Sequence, residues 1–296
     1  MRDGSRLHYL DVGRRKARKT CVLLHGFAMP AALWLPFVAP MLHRHRFILP
    51  DLRGFGGSHD LKLTQPTLLN QHAEDVADLF DALDLQDVYL GGLSMGACTA
   101  MQYQRMYGFD RIKAYLHIDQ SPRVLNSQEW AHGLLGPQQS EGFEQMSALM
   151  RLLEPYRGLS YRRLPRYLRR ELWKHLSTFY GHAFHRSNWK RFVTLSQHEF
   201  LIRRVAPVSN WPIYMDCLRS YLHDDYDWRS SLPDIKVPMT ALIGMQSTMY
   251  PADGQLSIGK LVPHARIVQF DNCGHAIPFE QPRQFISELG QFLMAA

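Results

Sequence analysis

The sequence predicts an α/β fold, a mostly parallel central sheet flanked by helices and carrying a helical insertion. Two observations lead there. Short apolar runs alternate with segments of helical spacing as far as residue 121, stop, and resume after residue 232. Four residues of catalytic type, His25, Ser94, Asp119 and His275, each follow a predicted strand. In open parallel sheets, ligands bind beyond the carboxyl ends of the strands. The convergence therefore marks one sheet edge as a candidate site.

Taken in order, Leu7 to Val12 reads as the first strand. Thr20 to Leu24 is the second, ending at His25-Gly26-Phe27, and Arg46 to Leu49 the third, ending at Pro50-Asp51. A helix follows from Leu68 to Leu83, with Val76, Leu79, Phe80 and Leu83 on one face. Val88 to Leu90 is the strand before Ser94, and Ala97 to Met106 continues as a helix. Ala114 to Ile118 is a further strand, ending at Asp119. Runs this short and this apolar fit parallel strands buried on both faces. From Pro122 to Leu232 the chain is helix-rich, aromatic and basic, with no clear strand. Met239 to Ile243, entered through Pro238, and Ala265 to Phe270 restore the sheet pattern, and Pro282 to Phe292 is a final helix. Both ends of the middle segment return to one sheet. The expected organisation is a core of residues 1–121 and 233–296, with residues 122–232 inserted as a helical cap.

Composition narrows the function. The chain has 296 residues, 46% hydrophobic and 21% charged, ordinary for a globular protein. The apolar stretch from Cys21 to Leu42 is broken by His25, Pro30, Pro36 and Pro40, so it is no membrane span. The first residues lack the apolar core of a signal peptide, which points to a cytoplasmic protein with reduced thiols. Cys21, Cys98, Cys217 and Cys273 have no metal-ligand spacing, and Cys98, one helical turn past Ser94, reads as core packing. The scattered histidines lack ligand spacing and no dinucleotide fingerprint occurs, so no metal or cofactor is expected. Of the net charge of +7, nearly all falls between Arg123 and Arg229, with 16 Lys/Arg against 10 Asp/Glu. No nucleic-acid motif accompanies the charge. The hexad Arg14 to Lys19 sits between two strands and reads as a solvated loop.

The sharpest signal is Gly92-Leu93-Ser94-Met95-Gly96, between the strand Val88 to Leu90 and a helix. Gly-x-Ser-x-Gly in that context puts the Ser on a tight turn with its hydroxyl exposed above the sheet. The glycines allow neighbouring backbone to approach where side chains would clash.

With His25-Gly26-Phe27, then Asp51 to Ser58, then this pentapeptide, and finally Gly274-His275 followed by Pro278 and Glu280, the chain resembles the α/β-hydrolase superfamily. The motifs occur in the family's order. The resemblance covers the chain except the middle segment, which corresponds to the family's variable cap. It implies Ser94 as nucleophile, His275 as its base, and the backbone N–H groups of Phe27 and Met95 as an oxyanion hole. It makes Asp51 to Ser58 a structural turn, so Asp51 and Arg53 are not assigned catalysis. Haloalkane dehalogenases and epoxide hydrolases of the superfamily carry Asp where Ser94 stands, which disfavours those reactions.

One position departs from the pattern. Most relatives carry their acid in a Gly-x-x-Asp context, and here Gly244-Met245-Gln246-Ser247 has Ser247 in its place. A hydroxyl can fix the imidazole tautomer but cannot stabilise an imidazolium as a carboxylate does. Three readings stand. Asp119 is favoured, because some superfamily members place the acid after that strand and because Ile118 to Arg123 resembles a segment of bacterial esterases and bromoperoxidase-like hydrolases. Asp253 is a second candidate, with N-terminal helix capping as its structural reading. A dyad assisted by Ser247 is the third. Asp271, four residues before His275, is too local to reach behind the ring.

The expected function is cleavage of a carboxylic ester, thioester or lactone through an acyl-enzyme on Ser94. A cofactor-free perhydrolase and a C–C bond hydrolase would use the same site. A non-catalytic ligand-binding protein on this fold is the reading from another class, favoured only by Ser247. Trp130, Trp173, Trp189, Trp211 and Trp228 suit an apolar acyl or ring pocket, and equally the packing of a helical cap. The basic middle segment, densest from Arg162 to Arg170, suits a small anionic or acyl-chain-bearing substrate, or a solvated helix face.

Overall fold

In the computed structural model, residues 1–15, 17, 19–65, 67–185 and 210–294 are described. Strands β1 (Tyr9–Gly13), β2 (Thr20–Leu24) and β3 (Arg46–Pro50) precede helix α1 (Leu68–Ala82). Then come β4 (Val88–Leu93), α2 (Met95–Tyr107) and β5 (Ile112–Ile118). Helices α3 (Gln139–Leu153), α4 (Arg166–Ala183) and α5 (Trp211–His223) lie between β5 and β6 (Met239–Gly244). β7 (Arg266–Phe270) and α6 (Pro282–Met294) close the chain.

The seven strands form one sheet in the order β1-β3-β2-β4-β5-β6-β7. All pairs are parallel except β1 with β3. Every residue of β4 and β6 is buried, whereas the edge strands β1 and β7 are largely half-exposed. This is why the inner strands read as unbroken apolar runs. Side chains still alternate by face. Cys21 and Leu23 of β2 join the core containing Trp34, Phe285 and Phe292, while Val22 and Leu24 join the opposite core with Val76 and Phe80 of α1.

β4 runs to Leu93, three residues beyond the strand expected from sequence. Glycine is normally a strand breaker, but packing overrides that here. A side chain at Gly91 would come within 2.6 Å of Leu23 Cδ2, and one at Gly92 within 2.4 Å of the Gly96 carbonyl. Both positions therefore need glycine inside the strand.

The insertion is fastened at its base. Val124 N–H donates to Tyr226 O and Trp228 N–H to Pro122 O, so its two ends pair with each other. Trp228 is fully buried and donates its indole N–H to Gln102 of α2. Trp211 is buried and donates to Leu159 O. Trp130 and Trp173 are also buried, while Trp189 lies outside the described residues. Arg162, Arg163, Arg166 and Arg170 are exposed. The four cysteines are buried and none forms a disulfide. Among the described residues no helix is long and apolar enough to cross a membrane.

The segment after β3 is held by charge. Arg53, 1% exposed, meets Asp75 at 2.7 Å and Asp3 at 2.8 Å. Arg53→Met would leave the Asp75 carboxylate buried without its partner. The expected loss is about 3–5 kcal/mol of unfolding free energy, read as a lowered midpoint in urea; a midpoint at the wild-type value would contradict this account.

Candidate active site

Ser94 stands between β4 and α2 with φ 53° and ψ −117°. A non-glycine residue there carries strain of order 1–3 kcal/mol, which the surroundings must hold in place. They do so through backbone. Ser94 N–H donates to Ile118 O at 3.0 Å, and Cys98 N–H donates to Ser94 O at 2.9 Å. A side chain on Gly96 would come within 2.3 Å of the Leu24 carbonyl, so the turn packs directly on the end of β2. The Ser94 hydroxyl makes no capping bond to α2.

The loop after β2 runs beside this turn. A Cβ on Gly26 would lie 3.6 Å from Ser94 Cβ. His25 is fully buried, and its ring bridges two backbone groups. Nδ1–H donates to Gly26 O at 2.8 Å, and Nε2 accepts from Leu52 N–H at 2.9 Å. Burial pushes its pKa down, in keeping with a neutral ring that accepts at Nε2. His25 is thus a brace for the Gly26-Phe27 backbone. Among the described residues, neither the Phe27 nor the Met95 backbone N–H has a hydrogen-bond partner.

Asp119 follows β5 with φ 44° and has no exposure. Its carboxylate takes three hydrogen bonds. Gly244 N–H donates to Oδ1 at 2.7 Å, Ser247 Oγ–H to Oδ2 at 2.8 Å, and His275 Nδ1–H to Oδ2 at 2.7 Å. The last pairing leaves Nε2 as the ring nitrogen open to act as a base. β4, β5, β6 and β7 are neighbours in the sheet, so Ser94, Asp119, Ser247 and His275 come from the carboxyl ends of four consecutive strands. Of the alternative acids, Asp253 is exposed in the first turn of a short helix and Asp271 is exposed on the loop. Ser247 touches the acid rather than the imidazole. Asp51 accepts from His8 Nδ1, Ala31 N–H and Gly57 N–H, which fixes the turn through Gly56.

Two supports escaped the sequence reading. His117, on β5 two residues before Asp119, donates from Nε2 to Gln120 O at 2.7 Å and meets the Tyr115 hydroxyl through Nδ1 at 2.9 Å. Glu280 reaches back to the His275 loop, accepting from Gly274 N–H at 2.5 Å. Its place five residues after His275 was visible, but nothing in that spacing told which backbone it would meet.

Phe27 also borders a small cleft, of about 50 Å³, among the helices of the insertion. Leu135, Met146, Leu149, Leu176, Phe179 and Leu218 line it, with Gln145, His175 and His182 as polar neighbours. Such a wall accommodates an acyl chain or ring better than a charged group.

Residues 19–282 match the family described as alpha/beta hydrolase fold. The chain is 28% identical to the pimeloyl-[acyl-carrier protein] methyl ester esterase of Xanthomonas campestris pv. campestris, over 93% of this chain and 94% of that protein. The structure of an esterase from Exiguobacterium antarcticum superposes with a TM-score of 0.74 at 18% identity, covering 99% of this chain and 97% of that one. That of a bromoperoxidase from Bacillus anthracis gives 0.75 at 21%, covering 97% and 95%.

The buried histidines predict an acid-sensitive fold. Burial pushes the pKa of His117 down to about 4 and that of His72 to about 3. The unfolded chain takes a proton on each below about pH 6.5, and the folded one does not. Stability is therefore full above pH 6.5 and falls steadily toward pH 4. By pH 5 each histidine costs about 2 kcal/mol. Urea unfolding at pH 7 and pH 5 should show a drop that His117→Gln reduces by about that amount; an equal drop in both proteins would refute the assignment.

Proposed function

The chain belongs to the α/β-hydrolase fold family, and we propose that it is a serine hydrolase of carboxylic esters, working through an acyl-enzyme on Ser94. The observation that carries the proposal is the Asp119–His275 pair at 2.7 Å, set at the sheet edge that also presents the strained Ser94 turn. In this reading His275 Nε2 takes the Ser94 proton as Oγ attacks the ester carbonyl. The oxyanion that forms meets the backbone N–H groups of Phe27 and Met95. The imidazolium then gives its proton to the departing alkoxide, and water, activated by the same ring, releases the acid. Asp119 keeps the ring in the tautomer with Nδ1–H and stabilises its charged form.

Ser247 has a supporting role. Its hydroxyl and the Gly244 N–H hold the carboxylate in register with the imidazole. The hydroxyl at the position usual for the acid therefore does not argue for a binding protein, because the carboxylate arrives from β5 instead.

The apolar cleft beside Phe27 suits the acyl side of the ester. The name of the Xanthomonas relative states action on a methyl ester of a carrier-bound acyl group, and the apolar wall beside Phe27 is in keeping with an acyl chain. The exposed arginines of the insertion favour a substrate that carries negative charge elsewhere. The likeness to a bromoperoxidase is one of fold and adds no separate reading.

Hydrolysis of p-nitrophenyl esters of graded chain length tests this. Ser94→Ala should abolish turnover and labelling by a fluorophosphonate. Asp119→Asn should lower kcat by roughly 10³–10⁴-fold with KM little changed. Ser247→Ala removes one of three bonds to the carboxylate and should cost about tenfold or less. Wild-type turnover in Asp119→Asn would exclude Asp119 as the acid, and an inert wild type that no fluorophosphonate labels would exclude the enzyme reading.

A further inference from the structure

The last turn of α4 ends against the loops that carry the proposed acid and base. Helix carbonyls there have no partner within the helix. The sheet-edge loops supply donors instead. Thr248 Oγ–H donates to His182 O at 3.0 Å, and Ala276 N–H donates to Ala183 O at 2.8 Å. Just past the helix, His185 N–H donates to Glu280 Oε1 at 2.9 Å, while Glu280 Oε2 accepts from Gly274 N–H at 2.5 Å. Glu280 is 3% exposed.

These bonds bracket His275. Gly274, before it, is tied to the insertion through Glu280, and Ala276, after it, is tied directly. The fit is close, since a side chain on Gly274 would come within 2.7 Å of His185 N and 3.1 Å of Ala183 O. Thr248 extends the same contact to the loop whose Ser247 holds Asp119. Meanwhile Leu176, Phe179 and His182 of α4 line the cleft beside Phe27. One helix thus walls the proposed acyl site and anchors the proposed base.

We propose that Glu280 is a positioning residue that makes the alignment of His275 depend on how the end of α4 is seated. The proposal rests on the reading of Ser94 and His275 as nucleophile and base. Glu280 does not touch the substrate. Its two oxygens span a loop N–H and an insertion N–H, so the imidazole keeps its place only while α4 keeps its own. A misplacement of the base of order 1 Å costs about 100-fold in rate, and such a loss falls on kcat rather than on KM.

The test compares wild type with Glu280→Gln and Glu280→Asp. The amide can accept from one N–H but turns its own donors toward the other. The shorter carboxylate keeps its charge but cannot span both. Both variants should lose about 10–100-fold in kcat per folded molecule, with KM within about threefold, and should react with a fluorophosphonate more slowly by the same factor. Wild-type kcat in Glu280→Gln, or full recovery in Glu280→Asp, would overturn the proposal; the second result would make the effect one of charge, not reach. Should neither variant fold, Thr248→Val cuts a second side-chain tie to α4, with the Ala276 N–H bond to Ala183 O left in place; kcat should fall there too, and an unchanged kcat would show that the seat of α4 does not set the rate and would also overturn the proposal. The parent reading fails separately. If Ser94→Ala is labelled as fast as wild type, Ser94 is not the nucleophile, whatever Glu280 does. If labelling needs Ser94 and proceeds at the wild-type rate in Glu280→Gln, only the coupling is wrong.

Discussion

A fully buried carboxylate has to have its lone pairs filled, and Asp119 sets that demand on the whole sheet edge. Left unpaired in a low-dielectric interior it would be among the costliest groups in the molecule. Three donors meet it, from the end of β6, from the loop beyond, and from His275 after β7. Each donor fixes the element that carries it. The carboxylate therefore ties three strand ends together, and orienting the imidazole is one result of satisfying its charge.

The Ser94 turn depends on backbone approach rather than on charge. Ser94 sits at positive φ because β4 must turn at once into α2 beneath a neighbouring strand end. Gly92 and Gly96 leave room for that contact, and the bond from Ser94 N–H to Ile118 O locks it. The same strand end carries Asp119 one residue later. Strain at the proposed nucleophile and satisfaction of the proposed acid thus share one piece of β5.

The insertion adds what the sheet lacks, an apolar wall and a second set of anchors. Its base is closed by pairing between its own two ends, and Trp228 pins it to α2 through Gln102. Its described tryptophans are buried in that packing, so their apolar area serves the fold first. Nearer the proposed chemistry, the cleft is lined by leucines, methionine and Phe179, while Arg162, Arg163, Arg166 and Arg170 are exposed and do not line it.

Much of this was legible in the residues alone. The inner strands announced themselves because burial on both faces demands unbroken apolar runs, and the Ser94 turn did because five consecutive residues suffice to encode it. Even so, the length of β4 was underread, since glycine propensity is local and the packing of Leu23 against Gly91 is not. The acid was harder. Asp119 and His275 lie 156 residues apart, and the sequence offered two acids and a hydroxyl for one position. The order β5-β6-β7 brings one carboxylate to the imidazole and leaves Asp253 in solvent, and it turns Ser247 from a substitute into a support. A turn is decided by the conformations of its own few residues. A contact between side chains from separate strands is decided by sheet order and loop path, which no stretch of sequence carries by itself.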